Sequence, residues 1–287
     1  MNDGSDSIDL VYFSGTGNTG YLAGLLAEKF TRRGILVRLT RLEDAAEGFS
    51  PPFGAILGLA YPIHALNAPS PVFDFIADLS DGDGRRAFIV KSPADPLLNG
   101  GSAHLVIAAL RSRGWTVCHE SMVVMPANVF VRYPDGLIRR LLAAATKRAD
   151  TIAAEIAAGT TRLPSPGPLA RFLTRHLSRL ETKGGKYFGR DLRASPACDL
   201  CGLCLRNCPS GNIRVSEGRI VFGDRCIICM RCIYICPRGA ISPRFFRFFR
   251  LKRRYDLAAL AAGPERKIGA TGRGGLYRLF RRYLESS

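Results

Sequence analysis

The chain has 287 residues, 47% of them hydrophobic, with nine cysteines and a formal net charge of +17. That length suggests one large domain or two ordinary ones with enough apolar residues for a packed core. The acidic start MNDGSDSIDL is not the basic and apolar opening of a secretory leader, and no run approaches the roughly 20 uncharged apolar residues of a membrane span.

Residues 7–13 (SIDLVYF) read as a strand that ends in a Gly-rich turn. From Asn18 to about Arg33, Tyr21, Leu22, Leu25, Leu26 and Phe30 recur at helical spacing, and Gly34 stops the helix. The segment ILVRL follows as a strand. The run 53–60 (FGAILGLA) has no polar alternation, as expected of a strand buried on both faces. Helices near 70–79 and 103–113 then alternate with strands at 87–91 and 115–124, before a long Ala-rich helix from Leu137 to about Ala158. Such alternation predicts a parallel sheet covered by helices, over residues 1–160.

Residues 160–168 (TTRLPSPGP) have linker composition. They open a basic segment, 161–197, in which Leu169, Phe172, Leu173, Leu177 and Leu180 line one face of an expected helix. Residues 198–243 are cysteine-rich and include an expected hairpin, IRVSEGRIVF, turning at Ser216–Gly218. The remainder, 244–287, mixes arginine with aromatic residues and is expected to form helices over 244–255 and near the end. The two halves differ in charge. Residues 1–160 hold 15 Lys/Arg and 16 Asp/Glu, and residues 161–287 hold 26 and 8. A basic half seeks an acidic protein, an anionic membrane surface or nucleic acid.

Two constellations carry chemistry. The first is Ser14-Gly15-Thr16-Gly17-Asn18-Thr19, between the first strand and the first helix. Its glycines let successive N–H groups point into one concavity, and the helix start adds free amides. Neither the Lys of a P-loop nor a GxGxxG fingerprint is present. Neutral hydroxyl donors suit a small phosphate monoester, at the place where open α/β sheets bind ligands.

The second is a repeat with an offset of 28 residues: Cys198/Cys226, Cys201/Cys229, Cys204/Cys232, Cys208/Cys236 and Pro209/Pro237. Each half reads C-x2-C-x2-C-x3-C-P, the spacing of [4Fe–4S] ligation, in which the fourth cysteine serves the other cluster. Cys198, Cys201, Cys204 and Cys236 are therefore assigned to one cluster, and Cys226, Cys229, Cys232 and Cys208 to the other. Zinc seldom uses three consecutive x2 spacings closed by Cys-Pro. Cys118, alone in a predicted strand, reads as a small core residue. With neither a leader nor a membrane span expected, the protein is expected in the reducing cytoplasm, where nine cysteines read as metal ligands before disulfides.

The cysteine segment resembles the bacterial two-cluster ferredoxins over about 45 residues, with both motifs complete. The Ser14–Thr19 loop resembles the flavodoxin fingerprint [ST]-x-T-G-x-T and matches it fully. That resemblance implies a five-stranded parallel sheet of order 2-1-3-4-5 that binds FMN, with Ser14, Gly15, Thr16, Gly17, Asn18 and Thr19 on the phosphate. It also implies that two loops flank the isoalloxazine: Tyr61-Pro62-Ile63-His64, with Tyr61 as the stacking aromatic, and Ser92-Pro93-Ala94-Asp95. The latter loop has no aromatic. The whole chain, over about 7–256, resembles flavodoxin-like domains fused to a small α+β two-cluster ferredoxin domain. Met125–Asn128, Tyr187–Asp191 and Lys252–Tyr255 add weaker support.

The function expected from this reading is electron transfer between FMN, two [4Fe–4S] clusters and a redox partner with an acidic surface. A flavin-dependent reductase of a small substrate and a cluster-based sensor or scaffold stay open as alternatives. No nucleophile or acid–base set is visible, which favours a carrier over an enzyme. The basic aromatic tail either packs on the first domain, touches the anionic cytoplasmic face of a membrane, or docks the partner. No nucleic-acid motif accompanies the charge.

Overall fold

The computed structural model describes residues 7–97, 101–251, 255–263 and 275–286. Its first part alternates β1 (Ser7–Tyr12), α1 (Asn18–Thr31), β2 (Leu36–Arg41), β3 (Ile56–Pro62), α2 (Ser70–Asp78), β4 (Arg86–Ser92), α3 (His104–Ser112), β5 (Thr116–Met122) and α4 (Asp135–Ala157). The strands form one parallel sheet in the order β2-β1-β3-β4-β5, the flavodoxin order. Because side chains alternate along a strand, each strand feeds two cores. Ile8, Leu10, Ile56, Ala60, Phe88 and Val90 pack towards α1 and α4. Val11, Leu57, Leu59, Tyr61, Ala87 and Ile89 pack with Val72, Phe75, Val106 and Leu110 of α2 and α3. The central β3 is buried almost throughout, which its uninterrupted apolar run anticipates. Gly58 is required there: a Cβ would strike the Phe88 ring and stand 2.8 Å from Leu10 Cδ1.

The linker is not free. Arg162 N donates to Cys118 O at 2.9 Å and Glu120 N to Arg162 O at 2.8 Å, so the segment covers the β5 edge. α5 (Pro168–Asp191) runs longer than expected. Leu169 and Phe172, on its apolar face, are exposed, whereas Thr174 is buried. A Cβ on Gly101 would stand 2.9 Å from Thr174 Oγ1, so the helix crosses the first domain on small residues.

The end of α5 belongs to the cysteine-rich part, whose core takes in Phe188. There β6 (Leu192–Ala194) pairs antiparallel with β9 (Ile241–Pro243). β7 (Ile213–Ser216) and β8 (Arg219–Phe222) form the expected hairpin, turning through Glu217 and Gly218, both at positive φ. The short helices α6 (Leu203–Arg206) and α7 (Arg231–Ile235) lie within the cysteine repeats, one in each.

The tail divides. α8 (Leu257–Ala262) and α9 (Gly275–Glu285) pack on α4. Phe280 is fully buried edge-on to Tyr133, and Tyr283 accepts a hydrogen bond from Val124 N at 2.9 Å. Residues 244–251 are not the expected helix. The Asp191 carboxylate accepts from Phe245 N and Phe246 N, and Arg244 N donates to Asp191 O, so the chain turns back instead. Only a 3-10 turn remains at Arg247–Phe249. Lys252, Arg253 and Arg254 lie outside the described residues. Among the described residues no helix is long and apolar enough to cross a membrane.

Two glycines on the first domain should respond oppositely to alanine. Gly24 lies inside α1 with open space where a Cβ would stand, so Gly24→Ala should stabilise by about 0.5–1 kcal/mol. Gly58→Ala should destabilise by about 1–3 kcal/mol through overpacking. Denaturant midpoints of the two variants check both signs.

Candidate functional site

A cavity of about 500 Å³ opens at the C-terminal ends of β1, β3 and β4, where open α/β sheets take ligands. Its floor is the phosphate-type loop: Ser14, Gly15, Thr16, Asn18 and Thr19. Its sides are Pro62, Ile63, His64 and Ala65 after β3, and Ser92, Pro93 and Ala94 after β4. Among the described residues, no Lys, Arg, Asp or Glu lines it. The loop is held from several directions. Thr19 Oγ1 and Ser92 Oγ hydrogen-bond at 2.7 Å, and Asn18 Nδ2 donates to Pro126 O at 2.6 Å. Gly17 N donates to Ser14 Oγ at 3.1 Å. Gly17 precedes α1 at φ 103°, a conformation that glycine adopts freely, but it is not part of the lining.

Tyr61 departs from its expected role. Strand alternation sets it with Leu57 and Leu59, so its ring is fully buried in the α2/α3 core and faces away from the cavity. Burial pushes its hydroxyl pKa well up, and only its carbonyl reaches the site region, accepting from Ser92 Oγ at 3.3 Å. The aromatic rings on the cavity are Phe130, after β5, and Phe249, from the refolded tail, with centroids 4.5 Å apart. Neither was singled out from sequence. Phe130 sits at φ +64°, unusual for a bulky residue.

Asn128 ties these parts together. Its Nδ2 donates to Thr16 Oγ1, its Oδ1 accepts from the Tyr255 hydroxyl, and its carbonyl accepts from Tyr234 Oη at 2.8 Å. The weak Met125–Asn128 motif and Tyr255 thus converge on the phosphate-type loop. Tyr234 Oη also accepts from Leu251 N at 2.9 Å.

The cysteines line two small cavities. Cys208, Cys226, Cys229 and Cys232 line one, with Ile213, Ile227 and Ile233. Cys198, Cys201, Cys204 and Cys236 line the other, with Leu203, Ile220 and Ile241. Each cage takes three cysteines from one repeat and the last from the other. Among the described residues no three such side chains close on one ion-sized point. Thiols spread around a cavity suit a cubane, in which each thiolate takes a different iron.

The repeat is also written in the backbone. Leu200/Ile228 (φ 57°/52°), Gly202/Met230 (71°/60°) and Gly211/Gly239 (56°/58°) share the left-handed conformation at the same offset. These turns aim amides at sulfur: Asn212 N donates to Cys208 Sγ at 3.2 Å, and its counterpart Ala240 N to Cys236 Sγ at 3.3 Å. Such bonds help set a cluster's potential. Burial pushes the Cys226 thiol up to about 12 and Cys229 to about 11, and raises Cys204 and Cys232 as well. Thiols so placed would ionise only against a compensating cation, a role that iron would fill.

The second repeat forms the cavity's roof. Ile228, Cys229 and Met230 line it beside Gly184 of α5. A Cβ on Gly15 would strike the Cys229 carbonyl, so the two backbones meet at a glycine. Beside this contact Arg231 is buried. It pairs with the Glu43 carboxylate, donates to Ser14 O at 2.8 Å and to Asn207 O at 3.1 Å, and lies over the Phe13 ring.

Residues 195–241 match the family model of the 4Fe-4S dicluster domain. The Rpo3 subunit of the DNA-directed RNA polymerase of Methanosarcina mazei is 42% identical over 53 residues, covering 17% of this chain and 20% of that protein. A subunit of the ion-translocating oxidoreductase complex of Methanosarcina acetivorans is 37% identical over 59 residues, covering 20% and 22%. The chain thus spans about a fifth of the length of these relatives. The Megasphaera elsdenii flavodoxin structure is 20% identical, with a TM-score of 0.37, over 51% of this chain and 98% of its own. The fold assignment rests on strand order, not on that low-scoring likeness.

Gly15→Ala should push the roof off the loop. Amide exchange at Ile228–Arg231 is expected to accelerate about tenfold or more, and unchanged protection would place the interdomain contact elsewhere. The chain thus joins an α/β domain with the flavodoxin strand order to a C-terminal segment, residues 195–241, that matches the 4Fe-4S dicluster domain.

Proposed function

We propose that the chain is an electron-transfer protein that binds FMN in the interdomain cavity and two [4Fe–4S] clusters in the cysteine cages. One observation carries the proposal: Cys229 and Met230 line both the cavity and the Cys208/Cys226/Cys229/Cys232 cage. A ligand in the cavity and a cluster in that cage then share a wall one residue thick.

The cavity fits such a ligand. Its volume lies in the usual range for small-molecule sites, and its floor offers hydroxyls and helix-terminal amides without a competing charge. Ser14, Thr16 and Thr19 hold the phosphate in this reading. Phe130 and Phe249 take the stacking role expected of Tyr61, and Pro62, Ile63 and Pro93 exclude water. FMN supplies paired or single electron exchange and each cluster single exchange, while the protein contributes placement and tuning. Among the lining residues His64 is the natural proton donor, and no carboxylate or amine lines the cavity beside it, which favours a carrier over a substrate reductase. The cages suit a reducing cytoplasm, our proposed location.

Anaerobic purification with iron, sulfide and flavin measured on one sample tests the reading. About eight irons and one FMN per chain are expected; eight irons without flavin would remove the flavin step. Thr16→Ala should weaken FMN about tenfold, read by fluorescence titration. The crossed cages predict non-additivity: Cys208→Ser, Cys226→Ser and their double variant should each keep about four irons. Loss of all eight in the double would refute the crossed assignment.

A further inference from the structure

The two cysteine repeats share sequence spacing and backbone turns, so differences in their surroundings point to their separate uses. In the second repeat, Cys229 meets Gly15, Met230 is buried in the cavity wall, and Arg231 is buried against Ser14 and Glu43. Ile233 is 2% exposed. Three residues of the first repeat, Leu200, Cys201 and Leu205, are exposed instead. Cys201, the counterpart of Cys229, is exposed. Leu200 is 44% exposed, and Leu205, the counterpart of Ile233, is 37% exposed. Pro196, Ala197, Pro237 and Gly239 are exposed as well.

Charge among these exposed residues is mostly positive. Arg206 is exposed and reaches over Gly202, its Nη1 2.8 Å from where a Cβ would stand. Arg238 is exposed and pairs with Asp199 at 3.0 Å, and Asp199 accepts from Cys201 N at 3.2 Å. Exposed Arg193 lies on β6, which shortly precedes this repeat in the chain and pairs with β9.

We infer that the chain is a wire with a fixed order. The cage of Cys208, Cys226, Cys229 and Cys232 is the inner station, and the cage of Cys198, Cys201, Cys204 and Cys236 is the outer one. The surface over the outer cage, centred on Leu200, Cys201 and Leu205 and edged by Arg206 and Arg238, is the docking site for an acidic one-electron carrier protein. The inference rests on the electron-transfer reading above. The inner cage lies against the first domain at Cys229 and none of its four cysteines is exposed, so an outside protein approaches closest at Cys201, the one ligand thiol that is exposed. Two leucines at the centre shed water on contact, and an arginine rim steers an acidic partner. Each transfer moves one electron: the outer cluster is oxidised by one unit as the carrier's metal is reduced by one.

The test uses the full chain loaded with iron and sulfide, reduced anaerobically with dithionite and mixed with oxidised rubredoxin, a small and strongly acidic one-electron carrier. Bleaching of rubredoxin gives a second-order rate constant. Leu200→Glu and Arg206→Glu should each lower it about tenfold at low ionic strength, with the Arg206→Glu deficit shrinking as salt is added. Arg32→Glu, at the far end of α1, should leave it unchanged. Site variants within twofold of wild type, or an equal loss in Arg32→Glu, would overturn the inference. Iron and flavin are measured on every sample. A chain that loads iron without flavin defeats the flavin step but leaves this readout intact, because dithionite reduces the clusters directly.

Discussion

The geometry of the whole molecule hangs on a buried arginine. Arg231 stands at the start of α7, between two cysteines of one cage, and its guanidinium meets Glu43 and the Ser14 carbonyl of the first domain. A buried ion pair adds little net stability, because desolvation offsets its attraction. Its value is orientation. A planar guanidinium with several donors is satisfied only when Glu43, Ser14 and Asn207 all stand in place, and removing any partner strands a charge out of water. The pair therefore fixes how one domain sits on the other, and that placement brings Cys229 onto Gly15 and roofs the cavity.

The same arginine shows how a duplicated unit becomes asymmetric. Its counterpart in the first repeat is Leu203, which lines the other cage. The turn residues differ too: Gly202 in one copy, Met230 in the other, both in the left-handed conformation. That conformation costs a non-glycine residue roughly 1 kcal/mol, which the surrounding contacts of buried Met230 must offset. In return the side chain fills the wall between the cavity and the inner cage, where glycine would leave a gap. A small set of side-chain differences, on a backbone both halves share, lets one repeat pack on the first domain while the other keeps Cys201 exposed.

The basic aromatic tail is structural as well as charged. Asp191, at the end of α5, gathers the amides of Phe245 and Phe246, and Tyr234 takes that of Leu251. These bonds turn the chain so that Phe246 and Phe249 pack by Phe188, while Phe249 also reaches the cavity. Farther on, Phe280 and Tyr283 close the outer face of α4. Apolar residues at helical spacing near the chain's end found a core, whereas those of RFFRFFR were bent to a different task by backbone acceptors distant in sequence.

The cysteine spacing, the phosphate-type loop and the strand–helix alternation were legible because each is local: ligand spacing, turn chemistry and hydrophobic period are set by near neighbours in the chain. The sequence alone determined the parallel sheet, the position of the Ser14–Thr19 loop and the two sets of four cysteines. Tyr61 was misread because residue type gives a ring but not its direction. The pleat sends it to the α2/α3 side with Leu57 and Leu59. Phe130, Phe249, Asn128 and Arg231 gave no decisive local signal, since their roles depend on partners at separations such as the 217 residues between Ser14 and Arg231. Tertiary structure alone decided which cage faces the first domain. A repeat of one spacing leaves its halves equivalent until three-dimensional packing sets one against the first domain and leaves Cys201 of the other exposed.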